Sequence, residues 1–165
     1  MTRSAFRATL SPMHLERDER DDRLFILATV FMALGGCING SSFNNYLKDV
    51  FQLDVARRTF LEFPRELPGF LVTLFVAGLA LLGEVRIAFI ANLVASVGML
   101  ALGWIPSSFL LMVGSAFLFS SGQHLYMPMG NAIGMGFAQE GKEGSVLGRL
   151  SSISTIALLL GTLLL

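Results

Sequence analysis

The stretch Ile87–Ile105, IAFIANLVASVGMLALGWI, holds no charged residue, and its polar members are Asn92 and Ser96. A soluble helix keeps a polar face at a period of about 3.6 residues. This stretch has no such face, and it is close to the about 20 apolar residues needed to cross a hydrocarbon layer of roughly 30 Å. It reads as a membrane span. Outward from it, Leu24–Leu47, Leu67–Gly83, Ser108–Gly136 and Val146–Leu165 are further apolar stretches near spanning length.

Composition agrees with that reading. Mean hydropathy is +0.66 and 15% of residues are charged, against about 25% in an ordinary soluble domain. Lys+Arg and Asp+Glu balance at 12 each, so no basic field points to nucleic acid. The single cysteine, Cys37, falls inside the first span and excludes a disulfide framework or a paired metal-ligand set. It reads as a small packing residue. No metal and no cofactor are expected. The first 23 residues lack an apolar signal core, so the first span is expected to act as an uncleaved insertion signal.

The expected fold class is all-α, a polytopic membrane helical bundle. Residues 1–23 form a polar cytoplasmic tail in this reading. Residues 24–165 form a transmembrane domain with helices over about 24–47, 62–83, 86–105, 107–136 and 145–165. Cationic residues near span ends favour the cytoplasmic side. With the N-terminus inside, Arg3, Arg7, Arg17, Arg20, Arg23, Arg86, Lys142 and Arg149 are cytoplasmic. Lys48, Arg57, Arg58 and Arg65 are external, and the bias favours N-in. The expected location is the cell membrane. Links as short as Gly83–Arg86 and Pro106–Ser107 predict antiparallel neighbours for spans two and three and for spans three and four. The small-residue steps Gly36/Gly40 and Gly130/Gly134 would let helices approach closely.

Polar residues inside the spans are the candidates for function, because an ionisable side chain facing lipid is costly. Glu62-Phe63-Pro64-Arg65-Glu66-Leu67-Pro68 opens span two. Arg65 and Glu66 are read either as the mouth of a polar cavity or as an interfacial ion-pair cluster capping the helix. Pro64 suits a helix start, whereas an earlier start would leave Pro68 inside the helix. Asn39 falls near mid-span and is a cavity-lining candidate, with Asn44 nearer the outer interface. Ser120, His124 and Asn131 lie within about 40° of one another on span four. His124 is a candidate for ligand contact or proton relay, or for a plain hydrogen bond to a neighbouring helix. Pro128 would free carbonyls below it.

The turn Gly78-Leu79-Ala80-Leu81-Leu82-Gly83-Glu84-Val85-Arg86 resembles the link between the second and third helices of major facilitator superfamily transporters. That family's motif is a glycine-rich turn with an aspartate and several basic residues. Here Glu84 stands for the acid and Arg86 for one basic position, while the further basic residues are missing. The charged tail, the polar-studded first span and the polar link with Gly141, Lys142, Gly144, Gly148 and Arg149 are similar to the first five helices of such a transporter. Phe60–Phe70 is similar to bacterial members of unknown substrate.

The resemblance implies an incomplete six-helix transporter half, truncated from a longer chain whose C-terminal half is missing. It implies secondary active transport of a small molecule by alternating access, coupled to protons or another ion gradient. It also implies cytoplasmic gating roles for Glu84 and Arg86. The expected partners are the lipid bilayer, a small-molecule substrate and the missing half. The alternative is a non-transporting polytopic scaffold or assembly protein. No enzyme activity is expected. The sequence has no H-E-x-x-H, P-loop or G-x-S-x-G motif, and an intramembrane enzyme built on His124 and Glu66 is the remaining reading.

Overall fold

The computed structural model describes residues 19–104 and 108–164. Arg3, Arg7 and Arg17 of the tail, the Pro106–Ser107 link and Leu165 lie outside the described residues. Among the described residues the regular elements are all helical. They are α1 (Glu19–Phe51), α2 (Val55–Leu79), α3 (Glu84–Trp104), α4 (Phe109–Gly136) and α5 (Glu143–Leu164), with a 3-10 turn at Ala80–Leu82. The all-α expectation holds. Three of these helices, over Arg20–Phe51, Glu84–Trp104 and Glu143–Leu163, are long and apolar enough to cross a membrane. The other two are diluted by polar residues. The first half of α2 carries Arg57, Arg58, Glu62, Arg65 and Glu66, and the middle of α4 holds Ser120, Ser121, Gln123 and His124.

Two helices extend past their expected bounds. α1 takes in Glu19–Arg23, which the sequence reading placed in the tail. That run contains no Gly or Pro, so nothing in it interrupts a helix. At its other end α1 continues to Phe51, and Gln52 then turns into the left-handed region with φ of 52°. α2 starts at Val55 rather than near residue 62. Asp54 is the start signal: its Oδ1 accepts a hydrogen bond from the Arg57 N–H at 2.8 Å, which satisfies one orphan donor of the first turn. Pro64 and Pro68 therefore both lie inside the helix, and Pro64 is not its first residue.

α4 is the central helix. Its buried face runs from Met112 through Ser115, Phe119 and Gly122 to Met129 and Gly134. Against it α3 presents the small face Ala88, Ala91, Ala95 and Gly98, all buried. A Cβ built on Gly98 would overlap the Phe119 backbone, and one on Gly122 would overlap the backbone of Ala91 and Ala95. The contact is thus backbone against backbone, which is how helices gain dispersion energy in lipid. Spans three and four are antiparallel neighbours, as their short link predicts.

Span two departs from the expectation. α2 packs along α4 rather than along α3, which it meets chiefly around the 3-10 turn. The small face of α3 is already filled by α4, whereas Gly69 of α2 leaves room for a side chain of α4. The remaining helix, α5, lies along α1. Gly161 there faces Leu34 and Cys37, and the buried Cys37 Sγ is 3.2 Å from the Thr162 hydroxyl. Large apolar side chains such as Phe70, Phe89, Trp104 and Leu163 point outward and are exposed. That is the arrangement expected of a surface that meets hydrocarbon rather than water.

Candidate functional site

The α2–α4 seam carries a polar cluster in the middle of both helices. Residues 65 and 120 lie side by side, as do residues 69 and 124, so the two helices run in the same direction. Ser120 is buried and donates its hydroxyl hydrogen to the Arg65 carbonyl. Pro68 has no N–H, so the Pro64 carbonyl, next to the Arg65 carbonyl, has no helical donor one turn further on. The α2 backbone at this point is thus open to bonding from its neighbour.

One turn further along, the His124 ring fits over Gly69, where an added Cβ would sit 3.0 Å from ring atoms. His124 Nε2 reaches Glu66 Oε2 at 3.3 Å. Arg65 pairs with Glu62 at 2.6 Å and stands 3.6 Å from Glu66. The result is a chain Glu62–Arg65–Glu66–His124, with one guanidinium, two carboxylates and one imidazole. The imidazole and the Glu66 carboxylate are within ion-pair distance, and a second proton on the ring makes the contact an ion pair. The arrangement can hold and pass a proton, and it can tie α2 to α4.

A separate groove opens among α1, α4 and α5, with a volume of about 470 Å³. Its polar wall contains Thr29, Gln123, Tyr126, Asn131, Ser154 and Thr155. The Thr29 and Tyr126 hydroxyls are 3.1 Å apart and link α1 to α4. Gln123 Nε2 lies against Gly36, where an added Cβ would be 3.1 Å away. Phe25, Met32, Leu150 and Leu158 add hydrocarbon to the same lining.

The sequence-derived candidates divide among these places. Arg65, Glu66, Ser120 and His124 come together in the α2–α4 cluster. Asn131 shares the Ser120 face of α4 but is exposed and lines the groove instead. Seven residues of helix carry it about 10 Å past His124, where α5 replaces α2 as the neighbour and Gly134 meets Leu150. Asn39 is buried in α1 and lies outside the groove lining, and Asn44 is exposed near the C-terminal end of the same helix. Glu84 and Arg86 are exposed in the first turn of α3, just after Gly83 with its φ of 76°. The Glu84 carboxylate there is favourably placed at the positive end of the helix dipole.

The sequence reading did not single out Ser154 and Thr155. Their signal is Ser151-Ser152-Ile153-Ser154-Thr155, a hydroxyl-rich run inside an otherwise apolar helix. Nor did it identify Gly69, whose role depends on the ring of a residue 55 positions away.

The fold and the two polar places define a class: an all-helical bundle with three helices long and apolar enough to cross a membrane, an ionisable cluster in one helix seam and a neutral polar groove in another. No family profile, no curated protein and no solved structure matches this chain.

Proposed function

We propose that the chain serves secondary active transport of a small molecule by alternating access. In this reading all five helices cross the cell membrane, with the N-terminus cytoplasmic. A second helical unit completes the path, and the resemblance to major facilitator transporters supplies that architecture. The observation that carries the reading is the Glu66–His124 contact, 3.3 Å long and held between the middles of two helices. Ionisable groups at such a depth are expensive in a bilayer and are kept where a polar path or a moving charge requires them. Glu84 and Arg86 are assigned to gating at the cytoplasmic face.

Uptake tests the reading. Full-length protein with Glu66→Gln or His124→Ala is compared with the parent for accumulation of a panel of labelled metabolites in cells. A changed uptake at unchanged membrane abundance is the expected result. A loss that abundance alone explains, for both variants, leaves the cluster as a structural tie between helices and removes the reading's main support.

A further inference from the structure

The groove among α1, α4 and α5 is set apart from the ionisable cluster, and this separation has chemical content. Gln123 and His124 are adjacent in sequence, yet Gln123 faces α1 and His124 faces α2. Among the described residues no carboxylate, ammonium, guanidinium or imidazole group lines the groove, which holds hydroxyls, side-chain amides and hydrocarbon. We propose that this groove is a binding site for an uncharged solute that carries hydroxyl or amide groups together with hydrocarbon. The proposal names the substrate class of the transport reading and rests on it.

Three observations support the assignment. The volume, about 470 Å³, falls within the roughly 300–1,000 Å³ typical of small-molecule sites. The polar groups are also of both kinds. Gln123 and Asn131 each offer an amide donor and an acceptor, and the Ser154 hydroxyl adds one of each, whereas Thr29 donates to the Phe25 carbonyl at 2.9 Å and bonds Tyr126 at 3.1 Å, so these two add acceptor oxygens. The Thr155 hydroxyl hydrogen is committed to the Ser151 carbonyl at 2.9 Å, which leaves its oxygen as an acceptor. Finally, the groove offers no counter-charge. A charged ligand would lose its hydration and meet only dipoles, at a cost that neutral hydrogen-bonding groups avoid. A neutral solute has its polar groups met by Gln123, Asn131 and Ser154 and its hydrocarbon covered by Phe25, Met32 and Leu158.

The test uses three thiol reagents of similar size and different charge: hydroxyethyl, trimethylammonioethyl and sulfonatoethyl methanethiosulfonate. The full chain with Cys37→Ala carries a reporter, Ser154→Cys, in the groove; Thr155→Cys serves as a second reporter should the first fail to fold. Glu140→Cys, in the link between α4 and α5, and Phe89→Cys, exposed on α3, are the controls. Rates are normalised to those of a free thiol in the same detergent. The groove reporter should favour the neutral reagent over both charged ones by about tenfold. Glu140→Cys should react with all three in proportion to their intrinsic rates.

Adding Asn131→Asp should raise the cationic rate at the groove reporter several-fold, lower the anionic one and leave Phe89→Cys unaffected. Equal rates for the three reagents, no labelling of either groove reporter, or no change in the charged rates on adding Asn131→Asp would each overturn the proposal. Labelling is read on purified protein and needs no transport, so its failure is separate from a failure in uptake.

Discussion

His124 and Glu66 show what a single side-chain contact can contribute in this setting. The two side chains meet at 3.3 Å and are partly exposed, at 25% and 48%. Polar contacts between membrane helices measure about 0.6 kcal/mol on average and reach about 1.7 kcal/mol. A double-mutant cycle on Glu66→Gln and His124→Ala, followed by thermal unfolding in detergent, should therefore give a coupling of about 0.5–1.5 kcal/mol. Additive single effects would mean the two groups do not interact. The two residues were legible in the sequence as candidates. A histidine and a carboxylate inside apolar stretches have few affordable places, and facing one another is one of them. What the sequence withheld was the pairing itself, because it depends on α2 lying along α4. Asn131 illustrates the same gap, since it shares an angular sector with Ser120 yet serves a different neighbour. Angle on a helix says which way a residue points, not what stands opposite.

Glycines decide the helix contacts, and the small-xxx-small steps supply only part of them: Gly36 meets Gln123 and Gly134 meets Leu150 across helices. An added Cβ at Gly40 meets nothing within 4 Å, nor does one at Gly114. At Gly98 and Gly122 it would strike the backbone of the facing helix, which has no rotamer to give way. Alanine substitutions should thus split by sign. Gly98→Ala and Gly122→Ala should each destabilise the bundle by about 1–3 kcal/mol as α3 and α4 are forced apart. Gly40→Ala and Gly114→Ala should be neutral or stabilise by up to about 1 kcal/mol through helix propensity. Thermal unfolding of the four variants checks this, and a common sign would remove the close α3–α4 contact. Element existence was legible from hydropathy and element boundaries less so. The start of α2 was obscured because Pro64 resembles a first-turn residue, while Asp54 held the actual cap. The α1–α5 and α2–α4 pairings were not legible, because link length constrains consecutive helices and says nothing about helices distant in the chain.

At the scale of the whole molecule, packing bears on how many helices cross the bilayer. By length and apolarity α1, α3 and α5 are able to cross. α4 runs antiparallel to α3 in backbone contact, with Gly98 on Phe119 and Gly122 on Ala91 and Ala95. A helix held at that depth along a spanning partner shares its environment, and α2 is held against α4 in turn by Ser120, His124 and Gly69. Crossing by three helices and crossing by five place the Gly83–Glu84 turn on opposite sides. With a cytoplasmic N-terminus, five spans put this turn inside; if α2 and α4 stayed out of the bilayer, it would lie outside with Asp54. Single cysteines at Asp54 and at Glu84, in the Cys37→Ala background, are exposed to a membrane-impermeant maleimide on intact cells. Asp54→Cys should label before lysis and Glu84→Cys only after it. Labelling of both on intact cells would indicate three spans. The reverse pattern would keep five spans and invert the orientation, placing the groove formed by the first half of α1, the second half of α4 and the first half of α5 on the external side.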